Sequence, residues 1–133
     1  MFSGAISVRI KSENQILAVR SKALLLVEKI GFDKVRAGVL STIISQMARQ
    51  ILSQTKSGRI DVLSIRRNMK AGVTILAFVE QLERNEIERK LYEKQKILKR
   101  TDLGSLAAKQ IIDEFKTFPG DNREVIMQLT KWV

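Results

Sequence analysis

Residues 59–79 read Arg59-Ile60-Asp61-Val62-Leu63-Ser64-Ile65-Arg66-Arg67-Asn68-Met69-Lys70-Ala71-Gly72-Val73-Thr74-Ile75-Leu76-Ala77-Phe78-Val79. The front part, 59–66, is rich in β-forming side chains and predicts a strand. Asn68 to Gly72 reads as a turn. The stretch 73–79 is a nearly continuous apolar run, the signature of a central strand. Two neighbouring strands without an intervening helix argue against a doubly wound parallel sheet. A mixed sheet with helices packed on one face fits better.

Upstream, Ile6, Val8 and Ile10 alternate with Ser7, Arg9 and Lys11, which predicts a half-buried strand. Ser12 to Asn14 supply capping residues for a helix that buries Ile16, Val19, Ala23, Val27 and Ile30, and Gly31 is placed to end it. Asp33 can cap a second helix, in which Val35, Val39, Ile43, Met47 and Ile51 repeat at helical spacing while Leu40 and Ile44 widen the stripe. Ser57-Gly58 breaks that pattern. Downstream, 85–99 is charged and helical, with Ile87, Leu91 and Leu98 as a thin apolar edge. A further helix over 106–115 uses Leu106, Ile111, Ile112 and Phe115. Residues 118–122 predict a turn and 124–132 a last strand, with Trp132 half-buried against the first helix. The expected order is β-α-α-β-β-α-α-β, an α+β two-layer sandwich in one domain spanning 1–133.

At 133 residues, 44% of them apolar and 29% charged, the chain has the make-up of one globular domain with one core. It has neither Cys nor His, which excludes disulfides, thiolate chemistry, Cys/His zinc sites and every His-based triad. No apolar run is long enough to cross a bilayer, and the first residues lack the pattern of a secretory signal, so a cytoplasmic location with no membrane partner is expected. The net charge of +10 favours acidic partners. Seven Lys/Arg against three Glu fall between Arg84 and Arg100.

Several short motifs share an order and spacing with one group of proteins. They are Val8-Arg9-Ile10, Ile30-Gly31-Phe32, Ser45-Gln46-Met47-Ala48-Arg49-Gln50-Ile51, Asp113-Glu114-Phe115 and Lys131-Trp132. Together they resemble the bacterial anti-sigma-factor serine kinases, including the switch-protein kinases of stress signalling, which have the GHKL (histidine-kinase-like) ATP-binding fold. The resemblance runs from about Val8 to the last residue. It implies ATP-Mg²⁺ binding, phosphorylation of a serine on a small STAS-domain antagonist, and control of sigma-factor release.

The residues that would carry that chemistry are altered. The family's Glu-x-x-x-Asn, which supplies the usual candidate base and a Mg²⁺ ligand, falls on Gln46 and Gln50. Gln46 is neutral and cannot take a proton as a carboxylate does. Gln50 keeps an amide oxygen, but its extra methylene displaces it from the octahedral geometry that Mg²⁺ demands. Arg49 matches an Arg common in this branch. The Asp-x-Gly-x-Gly that reads adenine falls on Glu80, Leu82 and Arg84. The glycine-rich lid is reduced to Gly104, with Asp102 adding negative charge where phosphates would sit. The final Gly-x-Gly-Thr has become Gly120-Asp121-Asn122-Arg123.

With four elements altered together, no cofactor, no metal and no catalytic residue is expected. The leading expectation is a pseudokinase: a protein-binding regulator in sigma-factor or stressosome-like partner switching. Its partner would be a STAS-domain or other sigma-regulatory protein with an acidic face, and Lys11 to Arg20 with the helix at 33–53 are the contact candidates by family analogy. Two other readings stay open. An active kinase binding ATP-Mg²⁺ would need Gln50 to ligate the metal, Glu80 to read adenine, and Asp102 or Glu83 as base. A basic nucleic-acid-binding module is permitted by the charge, although the aromatic residues sit mostly at core-like positions. Along 85–99 the absence of Gly and Pro predicts a stable helix where relatives carry a mobile lid.

Overall fold

The computed structural model describes residues 4–54, 58–79, 113–120 and 125–133. The first strand is β1 (Ala5–Ile10), followed by α1 (Glu13–Ile30) and α2 (Lys34–Gln54). Then come β2 (Gly58–Arg67), β3 (Lys70–Val79), β4 (Glu114–Pro119) and β5 (Val125–Trp132). The helix predicted over 85–99 lies outside the described residues, as does most of the one predicted over 106–115.

Local chemistry sets the ends of both helices. Ser12 is extended at φ −155°, and Gln15, three residues on, turns its Oε1 back to accept the Lys11 amide at 3.1 Å and the Ser12 hydroxyl at 2.8 Å. At the other end Gly31 takes φ 127°, and the Gly31 and Phe32 amides donate to the Glu28 and Val27 carbonyls at 3.2 and 3.1 Å. That is a Schellman closure, which favours glycine because of the positive φ. Asp33 then caps α2, its Oδ1 accepting the Arg36 amide at 2.8 Å.

The five described strands form one sheet in the order β1-β2-β3-β5-β4, and every adjacent pair is antiparallel. The expected mixed sheet is therefore corrected. Two helices of 18 and 21 residues, each about 30 Å long at ~1.5 Å per residue, carry the chain down and back up. After that even number of traverses, β2 must run against β1. The β2–β3 link is a two-residue turn, Asn68-Met69, with φ of 52° and 67°. The predicted turn at Asn68 to Gly72 shortens to these two residues, and Lys70 to Gly72 extend β3. Positive φ at both positions gives the twist a tight hairpin needs. Asn tolerates it, whereas Met pays about 1–2 kcal/mol for the left-handed conformation.

The second correction concerns Phe115 and the element order. The expected helix over 106–115 gives way at Glu114 to β4, a strand absent from the predicted order. Glu114-Phe115-Lys116-Thr117 alternates, and each residue pairs with β5, from Glu114–Thr130 to Pro119–Val125. Phe118 and Pro119 end this strand instead of opening a turn. Pro119 is tolerated at the end of β4, which among the described strands is the outermost and pairs with β5 alone.

One face of the sheet meets both helices. Val8, Ile10, Ile60, Val62, Val73, Ile75, Met127 and Leu129 are buried there against Ile16, Val19, Val27, Leu40, Ile43, Ile44, Met47 and Ile51. Of the predicted helical stripe, Ile30 and Val39 are only half-buried and Val35 is exposed: a repeat of every four residues drifts by about 40° per step around a 3.6-residue helix, so Val35 faces away from the side on which Ala37, Leu40 and Ile44 are buried. Trp132 is half-buried as expected, but on the opposite face from α1. It pairs with Gly72, whose neighbours Val73 and Lys131 form the next pair. A Cβ at Gly72 would stand 2.6 Å from Trp132 Cε3, so the ring lies over the glycine, away from the helices. Thr74 and Thr130 share this second face, buried and 3.3 Å apart across the strands.

Candidate functional site

One transverse row of pairs defines one end of the sheet: Ile10–Gly58, Gly58–Val79, Val79–Val125 and Pro119–Val125. The loop into α1 starts here. The last turns of α2 end here too, because a Cβ on Gly58 would stand 2.7 Å from Ile51 Cγ2. Gly58 thus lets α2 press onto the start of β2.

The sequence-derived site positions divide as follows. Gln46 and Gln50 are four residues apart on α2 and share a face with Arg49. Gln46 and Arg49 are exposed and Gln50 is half-buried, while Met47, Ala48 and Ile51 turn into the core. Gly120 follows Pro119 at the same end of the sheet. Glu80 is next in sequence to Val79, which closes that end, but Glu80 itself lies outside the described residues, as do Leu82, Arg84, Gly104, Asp102 and Glu83. The topology therefore brings the second half of α2, the end of β3 and the end of β4 to one place, although the positions are far apart in sequence.

The chemistry available there is limited by α2. Over Lys34–Gln54 it contains no Asp and no Glu. Near this end it offers amides, hydroxyls and the Arg49 guanidinium, none of which is a general base at neutral pH. Arg49 reaches Glu13, at the start of α1, at 3.4 Å, with both side chains largely exposed. That pair ties the α1 N-terminus to α2 and joins the two expected contact segments, Lys11 to Arg20 and the second helix, into one surface. Leu17, 59% exposed, stands on it. Among the described residues, no group of three His, Cys, Asp or Glu is placed to hold a metal ion. Nor is any described helix long and apolar enough to cross a membrane.

Sequence reading missed the opposite end. There the β2–β3 hairpin, the α1–α2 turn and the end of β5 meet. The Val133 amide donates to Ala71 at 2.9 Å, and Arg36 donates from α2 to the Trp132 carbonyl at 2.8 Å. The Arg67 guanidinium lies 5.3 Å over the Trp132 ring. The signal in the sequence was Arg66-Arg67-Asn68-Met69-Lys70, a turn that puts a bulky residue where Gly is favoured and flanks it with cations.

Compared with known proteins, the chain matches no family model and no curated relative.

Proposed function

We propose that this chain is a protein-binding regulator on an anti-sigma-kinase-like scaffold whose nucleotide chemistry has been lost, working in bacterial sigma-factor or stressosome-like partner switching. One observation carries the reading. The helix that would supply the base and the Mg²⁺ ligand presents Gln46 and Gln50 at those positions and has no carboxylate anywhere along it. The resemblance of the short motifs gives the scaffold. The antiparallel sheet with two helices on one face supports it at the coarser level of an α+β sandwich. Docking to a STAS-domain or other sigma-regulatory protein is assigned to the surface joined by Glu13 and Arg49, with Leu17 as its exposed apolar residue and Arg20 beside it.

Calorimetric titration of the purified protein with Mg-ATP tests this. No saturable heat is expected. A low-micromolar Kd, or ATP turnover abolished by Gln50→Ala, would establish the active-kinase alternative in its place.

A further inference from the structure

We propose that the end of the sheet capped by the β2–β3 hairpin is a second docking surface, for an acidic protein segment that carries large apolar side chains. Met69 is the anchor, and Arg66, Arg67 and Lys70 form its charged rim. The surface is distinct from the α1–α2 face and does not depend on how the nucleotide question is answered.

Met69 holds φ 67° at a turn position that Gly would fill without cost, and its side chain is 93% exposed. Strain at an exposed apolar residue has no benefit to the isolated fold, and such outliers concentrate where a site is in use. Met69 is not alone. Of the five large apolar residues that stand exposed among the described ones, Val133 (47%) also belongs to this end. Val133 is bonded to Ala71, two residues from Met69, and a Cβ at Gly31 would stand 3.8 Å from Val133 Cγ1, so the α1–α2 turn abuts the same spot.

The described charges around this apolar group are predominantly cationic. Lys34, Arg66, Arg67 and Lys70 are exposed, and Arg36 is half-buried. Among the described residues the acids at this end are Glu28, exposed in the last turn of α1, with Asp33, Asp113 and Glu114. Asp33 is engaged by the Arg36 amide, and Asp113 accepts the Trp132 amide at 2.8 Å and the Lys131 ammonium at 3.2 Å. Arg67 is already oriented by Trp132, which leaves the edge of its guanidinium for a carboxylate at little further entropic cost.

An acidic peptide segment fits both halves of this pattern. Met is an adaptable contact residue, and Met and Arg are enriched at protein interfaces. Nucleic acid would satisfy the cations but would leave Met69 and Val133 against phosphate and sugar, with no exposed ring among the described residues for a base to stack on. For an anionic membrane, one Met and one Val are a small apolar set beside an interfacial helix.

The test is a selection of short random peptides, displayed and presented to the full chain at near-physiological salt. Enriched peptides should be net acidic and contain Leu, Phe or Trp. Their affinity should fall about tenfold or more both in Met69→Gly and in the double variant Arg66→Glu/Lys70→Glu. The same Met69→Gly protein should melt about 2–4 °C higher, which separates lost contact from lost fold. Peptides that are not acidic, or that bind these variants as they bind the parent, overturn the proposal. So does tighter, variant-sensitive binding of a random duplex oligonucleotide or of phosphatidylserine vesicles. If binding is lost only in Leu17→Asp, this surface is wrong and the α1–α2 docking face stands.

Discussion

The two ends of the sheet solve opposite problems with the same strands. At the Ile10–Gly58–Val79–Val125 end, a glycine lets α2 close onto β2, and apolar side chains such as Ile51 are withdrawn into the core. What α2 shows to solvent near that end includes Gln46, Arg49 and Ser53, with Gln50 half-buried beside them. At the hairpin end, a glycine is missing where the turn would favour one, and Met69 is pushed outward among cations. The first end gathers amides and a guanidinium with no carboxylate on α2. The second has apolar and charged groups in excess of what the fold uses. Under the proposed reading, position and chemistry are separate properties, and the first end keeps the one without the other.

The sharpest way to break this comparison is at the closed end. Ile51 is fully buried against Gly58, so Ile51→Ala should destabilise the domain by about 2–5 kcal/mol in denaturant unfolding. A loss under about 1 kcal/mol would mean that α2 does not bear on β2 there. At the open end the sign reverses. Met69→Gly relieves the left-handed backbone but adds unfolded-state entropy, so a net gain of about 0.5–1 kcal/mol is expected. A loss of stability would show that Met69 is held by contacts within the domain. The smallest effect belongs to the link between α1 and α2. The Arg49–Glu13 pair is exposed at 3.4 Å, so Arg49→Ala should stay within about 0.5 kcal/mol of the parent. A cost well above 1 kcal/mol would reassign Arg49 from the docking surface to the framework.

Much of the site at the closed end could be read from spacing. Gln46 and Gln50 differ by four residues, and on any helix that puts them on one face. Gly120 required the third dimension, since only the register of β4 on β5 carries it to the end where α2 finishes. The hairpin end was the reverse. Each cation there is an ordinary surface residue in sequence. Val35 read as a core position because a spacing of four drifts around the helix, and by Val35 the stripe has turned away from the side that buries Ala37 and Leu40.

The sequence by itself determined what depends on neighbours within about four residues. Period-two alternation marked β1 and the apolar run marked β3, Gly31 and Asp33 marked the joint between the helices, and the 3.6-residue stripe marked the buried side of α2. Only the tertiary structure decided what depends on pairing between distant segments. Val125, Met127 and Leu129 compete with Ile126 and Trp132 as the inward set of β5, and both parities are apolar enough to qualify. Pairing of Leu129 with Ile75 and Met127 with Ala77 settled the choice and turned Trp132 away from α1. Phe115 suited both a helical stripe and a strand, and its place opposite Leu129 made it a strand residue. Side chains change face with every residue of register, so such choices follow from long-range hydrogen bonding and core filling, which no local window of sequence contains.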